Sequence, residues 1–181
     1  LADGQVIGRY LVKGEAQSSL SADKLIRNEK IQTTELHGKP AELNRGTDWL
    51  RSTVIRITER DRDYVLTTPG AGEMRITFPT ADGTSPPALL GLKWPGSLEF
   101  DGQTNTAVFT GLDNERVTGA IVHSPTSSSQ LAADRLELYL QNKEQTNPAN
   151  KKRPSEDMMS AKTFFKPMGN RTLQKMILTG R

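Results

Sequence analysis

The sequence predicts an all-β fold: a solenoid-like stack of short antiparallel strands with no major helices. Two observations carry this expectation. Apolar residues occur in strand-length runs that alternate with polar ones, while no amphipathic helical pattern competes with them. Turn residues separate the runs at short intervals, which points to sequential antiparallel pairing or stacked rungs and against strand–helix–strand units.

The runs follow one another along the chain. Thr53-Val54-Ile55-Arg56-Ile57-Thr58 is rich in β-branched residues and sets Ile55 and Ile57 on one face. Asp63 to Thr68 comes next and stops at Pro69-Gly70. Met74, Ile76 and Phe78 then share a face, with Arg75 and Thr77 opposite. Leu98-Glu99-Phe100 runs into Asp101-Gly102, a hairpin dipeptide, and Thr106 to Thr110 restarts the strand pattern as far as Gly111. Val117 to His123, Leu136 to Leu140 and Lys175 to Thr179 complete the set. Gln130 to Gln141 is the best helix candidate, but the alternation of its Leu136-Glu137-Leu138-Tyr139-Leu140 core reads as strand.

Three stretches break the pattern. Thr80 to Gly91, with Asp82-Gly83 and Pro86-Pro87, reads as a surface loop, and Pro125 to Gln130 as a Ser/Thr turn. Gln141 to Arg171 is long and contains Asn147-Pro148, Lys151-Lys152-Arg153-Pro154 and Pro167, and a loop of that length is expected to be disordered, functional or an insertion. The expected organisation is a β domain over 1–140, a polar and basic loop or insertion over 141–171, and a strand over 172–181 that continues the stack.

Composition limits the function classes. Only 34% of the 181 residues are hydrophobic and 6% aromatic, too few for a thick globular core. That fits an elongated sheet or solenoid, where each layer meets only its neighbours, or a partly disordered chain. The strand-length clustering of the apolar residues favours the first. A net charge of +3 gives no reason to expect nucleic acid as a partner. The absence of cysteine excludes a disulfide scaffold, a thiolate metal site and a cysteine nucleophile. No apolar run is long enough for a membrane-spanning helix. A first residue of Leu1 suggests a processed or excised piece.

An internal repeat supports stacking. Leu20-Ser21-Ala22-Asp23-Lys24-Leu25 recurs as Leu131-Ala132-Ala133-Asp134-Arg135-Leu136, with Asp134 lying 111 residues after Asp23. Leu36-His37-Gly38-Lys39 recurs, more weakly, as Leu178-Thr179-Gly180-Arg181, in the same order relative to the first motif. Repeats of one supersecondary unit stack to build a continuous core. The first copy continues through Pro40-Ala41-Glu42-Leu43, so the protein is expected to continue past Arg181.

The run Phe109-Thr110-Gly111, Val117-Thr118-Gly119 and Leu131-Ala132-Ala133-Asp134-Arg135-Leu136-Glu137-Leu138 resembles the repeat of OstA-like lipopolysaccharide-transport proteins. Ser21-Ala22-Asp23-Lys24-Leu25 is similar to another opening of that repeat. The resemblance is best over about residues 94–140 and weaker over 17–43. Where that family has Gly-Asn-Val, this chain has the longer turn Gly111-Leu112-Asp113-Asn114-Glu115-Arg116-Val117. What the resemblance implies is a folded-over antiparallel β-jellyroll, V-shaped in section. It also implies an apolar interior for acyl chains, a periplasmic or envelope location, and edge-to-edge β stacking with like domains or envelope proteins.

The candidate ligand-binding residues are the inward positions of the runs: Ile55, Ile57, Met74, Ile76, Phe78, Leu98, Phe100, Phe109, Leu136, Leu138 and Leu140. They line either an acyl-chain groove or a dry core. Each buried methylene of a lipid is worth about 0.8 kcal/mol, so a groove needs no charge chemistry. The dry alternative is a structural or adhesive β-solenoid, and a third class is a carbohydrate- or nucleic-acid-binding β module.

No catalytic residue, metal ligand or cofactor is expected. His37 and His123 lack metal-ligand spacing, and Gly-x-Ser-x-Gly is absent. Glu59-Arg60-Asp61-Arg62-Asp63 reads as a solvated charged turn, and Gly70-Ala71-Gly72 as a turn without the helix of a phosphate loop. Lys151-Lys152-Arg153 reads as a solvated loop, and Trp49 and Trp94 as packing residues or rim anchors.

Overall fold

The structure, a computed structural model, describes residues 1–10, 17–60, 63–78, 87–124, 126–142 and 171–180. These form one antiparallel sheet of thirteen strands. They are β1 (Ala2–Tyr10), β2 (Ser18–Asn28), β3 (Thr33–Arg45), β4 (Asp48–Arg60), β5 (Asp63–Thr68), β6 (Gly72–Phe78) and β7 (Ala88–Trp94), then β8 (Leu98–Asp101), β9 (Thr106–Thr110), β10 (Val117–Ser124), β11 (Ser127–Ala133), β12 (Arg135–Asn142) and β13 (Arg171–Thr179). No helix occurs among the described residues.

The pairing resolves into a meander folded along its midline. The first half of β4 pairs with β6 and its second half with β5, so the sheet divides at Thr53. One arm runs β4–β6–β7–β10–β11 and the other β4–β5–β8–β9–β12–β13, while β3, β2 and β1 continue on the far side of β4 and serve both. The pairs β5/β6, β7/β8, β9/β10 and β11/β12 are thus two halves of one path across the fold line. In β1, β2 and β3 the crossing is a register shift, at Asp3/Val6, Ser21/Lys24 and His37/Ala41.

Side-chain parity shows how the kink is encoded. A flat strand alternates with period two, so one extra residue is needed to keep both sides of a crossing facing inward. Ala22 and Ala133 are buried on one side, and Leu136 on the other. Asp23 and Asp134 are the extra residues between them and Leu25 or Leu136. The Leu-x-Ala-Asp-basic-Leu repeat therefore writes inward, outward, inward, kink, outward, inward. Gly38, from the weaker repeat, lies at the crossing of β3, and its counterpart Gly180 lies just past β13 beside Asp134. At Gly38 a Cβ would meet the backbone of Ala41 at 2.8 Å, which accounts for glycine there.

Inward residues of both arms form one apolar cluster. Trp94 on the first arm meets Phe109 on the second edge-to-face, with ring centroids 5.2 Å apart. Its indole N–H donates to Thr68 Oγ1 at 3.1 Å and Gly70 O at 3.2 Å, tying β7 to the β5–β6 crossing. Gly72 leaves the room that this indole fills.

Three expectations need correction, the first being that the set of runs is complete, since β1, β2 and β3 precede all of them. The stretch Thr80 to Gly91 is not all loop: Ala88–Gly91 begins β7, with Leu90, Leu92 and Trp94 buried in alternation. Pro86-Pro87 masks this pattern, although a proline just before a strand is compatible with it. Pro125 to Gln130 is not a Ser/Thr turn, because Ser127–Gln130 opens β11. As an edge strand paired only with β10, β11 needs few apolar residues, and only Leu131 and Ala133 are drawn inward. The run Gln130 to Gln141 is two strands broken at Asp134. Most of 141–171, including Lys151-Lys152-Arg153, lies outside the described residues, as do Asp61 and Arg62.

Candidate functional site

The eleven inward residues come together as expected of one interior. In the second arm, Ile57, Leu66, Phe100, Ala107, Leu138 and Met176 lie in register across β4, β5, β8, β9, β12 and β13. Leu98, Phe109 and Leu136 form the next row. In the first arm the rows are Leu50, Met74, Leu92, Gly119 and Leu131, and then Ile76, Leu90 and Ile121. All eleven are between 0 and 5% exposed, so they form a close-packed centre.

The margin of that centre was not legible in the runs. Val6, Leu25, Ile121, Leu131, Leu173 and Met176 pack on the cluster but stay partly exposed. Leu131 lies on β11, and Leu173 and Met176 on β13. β13 comes against β6 and β11, but among the described residues its strand ladder is with β12. This seam between the arms is therefore closed by side chains and not by a ladder. At one end of it Arg171 is buried, its guanidinium 4.8 Å from the Phe100 ring centroid and its Nε donating to Asn105 Oδ1 at 2.7 Å. At the other end the Asp134 N–H donates to Thr179 O.

The outer faces are polar and largely self-paired. Glu42, Arg51, Glu73 and Lys93 alternate in charge across β3, β4, β6 and β7, with N···O distances of 3.2, 3.7 and 3.7 Å. His37 Nε2 lies 2.9 Å from Glu35 Oε2, and Arg56 Nε donates to Glu35 Oε1 at 2.7 Å. The Arg56 hydrogen bond, helped by His37, holds the Glu35 carboxyl below its ordinary range despite some desolvation. Tyr139 and Arg135 lower Glu137 in the same way. His123 is exposed and 3.5 Å from Ser129 Oγ. Glu59 pairs with Arg27 at 3.3 Å. Among the described residues no group of three or more His, Asp or Glu side chains is placed to hold a metal ion.

Trp49 and Trp94 have different fates. Trp94 is a core residue, whereas Trp49 lies on the outer face under the Arg51 guanidinium, 4.5 Å from its ring centroid. Comparison of the chain with protein families, characterised proteins and solved structures returns no match.

Proposed function

We propose that this chain is a non-enzymatic module of the cell envelope that takes acyl chains of a lipopolysaccharide-like lipid between its two arms. The single observation that supports this most is the seam between β13 and the first arm. Between its hydrogen-bonded ends it is closed, among the described residues, by apolar side chains, and Leu131, Leu173 and Met176 remain partly exposed there, continuous with the interior. An acyl chain entering at the seam would replace side-chain contacts without breaking a hydrogen bond. The resemblance to OstA-like proteins supplies the ligand class and the periplasmic location. Among the described residues the outer edge of β1 has no strand partner, which suits it to stacking with like domains or envelope proteins.

A second reading, a stackable scaffold with a dry core, draws on the close packing of the eleven central residues. Native mass spectrometry with and without added lipopolysaccharide separates the two. A bound lipid mass that disappears in a folded Met176→Asp variant supports uptake at the seam. Absence of lipid under both conditions sinks that reading and leaves the scaffold.

A further inference from the structure

The outer face of the first arm carries a trough of about 770 Å³ over β6, β7, β10 and β11, and Leu131 borders both it and the seam. Small-ligand pockets span about 300–1,000 Å³, so the volume suits a small organic ligand. Its floor is the backbone of β7, β10 and β11, left nearly bare by Gly91, Ala120 and Ala132. Trp49 and Arg75 stand on one side, Glu73 and Lys93 on another, and Thr118 and Gln130 add hydroxyl and amide groups.

Gly91 is the residue that the fold does not account for. It sits mid-strand, paired to Arg75 on β6 and Ala120 on β10. Its backbone is not in the left-handed region, and an added Cβ would meet nothing within 4 Å. Neighbouring Gly119 differs, since a Cβ there would strike the Gly91 carbonyl and Leu92 Cδ2. Glycine inside a strand weakens it and marks places where another molecule approaches the backbone closely.

The charge on the walls is unbalanced. Glu73 is matched by Arg51 and Lys93, each 3.7 Å away. Arg75 uses Nε to donate to Thr47 O at 3.1 Å, and its two Nη atoms make no hydrogen bond among the described residues. An apolar floor edged by an indole, hydroxyl, amide and guanidinium matches a sugar ring, which has apolar C–H faces and a polar rim. The surplus guanidinium matches an anion.

We infer that this trough binds a saccharide carrying an anionic group. The inference is independent of lipid uptake at the seam.

The test is a microarray of uronate- and sulfate-bearing glycans with their neutral counterparts, followed by NMR titration of the ¹⁵N-labelled full chain with the best-retained glycan. Retention of acidic glycans, with shifts at the Gly91 amide and Trp49 indole but not at the buried Trp94 indole, is expected. Gly91→Leu should fill the trough and abolish binding while the spectrum stays dispersed, and Arg75→Gln should weaken binding at least tenfold. If Gly91→Leu fails to fold, Ala120→Leu on the adjacent strand serves in its place. The proposal is overturned if no glycan is retained or if neutral and acidic glycans bind alike. It is equally overturned if the filled variant binds as well as the parent, because the retention is then non-specific attraction to a basic protein.

Discussion

Deleting Asp134 tests the kink code directly. The deletion removes the extra residue between inward Ala133 and inward Leu136, so β12 enters the second arm one position out of phase. Leu136, Leu138 and Leu140, now 0, 0 and 5% exposed, would turn to the outer face, and Glu137 and Tyr139 would turn inward. Exposing a buried leucine costs about 1.5–3 kcal/mol, so the three together cost about 4.5–9 kcal/mol before any charge for burying Glu137. A domain has about 5–15 kcal/mol of stability in all, so the deletion variant should be unfolded or nearly so. Asp134→Ala is the control. It keeps the spacing and the backbone bonds to Gly111 and Thr179, and loses a carboxylate that pairs with Arg116 at 3.2 Å. Both of those side chains are about half exposed, so the pair is worth roughly 1 kcal/mol or less. Urea denaturation followed by far-UV circular dichroism measures both variants. If the deletion variant unfolds within about 1 kcal/mol of the parent, the strand absorbs the loss elsewhere and the kink code is wrong.

Two further predictions rest on single contacts. Trp94→Phe keeps a ring against Phe109 but removes the indole N–H, and should cost about 1–3 kcal/mol, while Trp94→Ala should cost about 3–5 kcal/mol; a Trp94→Phe variant that unfolds at the same temperature as the parent would deny the indole hydrogen bond any role. Stability should fall as the pH drops below about 4.5, because the Glu35 carboxyl titrates lower folded than unfolded and its contribution is lost as the pH falls through the folded value. Glu35→Gln should flatten that part of the pH–stability curve, and an unchanged slope would mean that the Arg56 contact does not persist in solution.

Legibility in the sequence followed burial. The strands that are inward on every second residue and fully covered, such as Thr53–Thr58 and Met74–Phe78, announce themselves by alternation. β11 does not, because an edge strand rich in serine has little to bury, and β7 is masked by the prolines before it. The eleven inward positions were readable because period-two alternation reports which face is apolar, whereas Leu20, Leu36, Leu43 and Leu50 are core residues outside those runs. The seam was not, since Leu173 and Met176 stand either side of a register shift in β13 that breaks the alternation. The trough lay further from view. Its floor consists of missing side chains, and a bare patch appears only when the pairing sets Gly91, Ala120 and Gln130 side by side.

The repeat connects these levels. Read as sequence, Leu-x-Ala-Asp-basic-Leu is a short motif of low specificity. Read as geometry, it is the least a strand needs to turn a corner while keeping its apolar residues inside: two inward positions, one extra residue, and a return to phase. The same need is met by Gly38-Lys39-Pro40 in β3, which shares no residue pattern with it. In β2, β3 and the β11–β12 path the kink is therefore fixed by residue count, and the identity of the extra residue is free to vary. Substitutions of the extra residue itself should be tolerated where its deletion is not, and a deletion at one of these crossings should be rescued by an insertion at the same crossing but not at its neighbour.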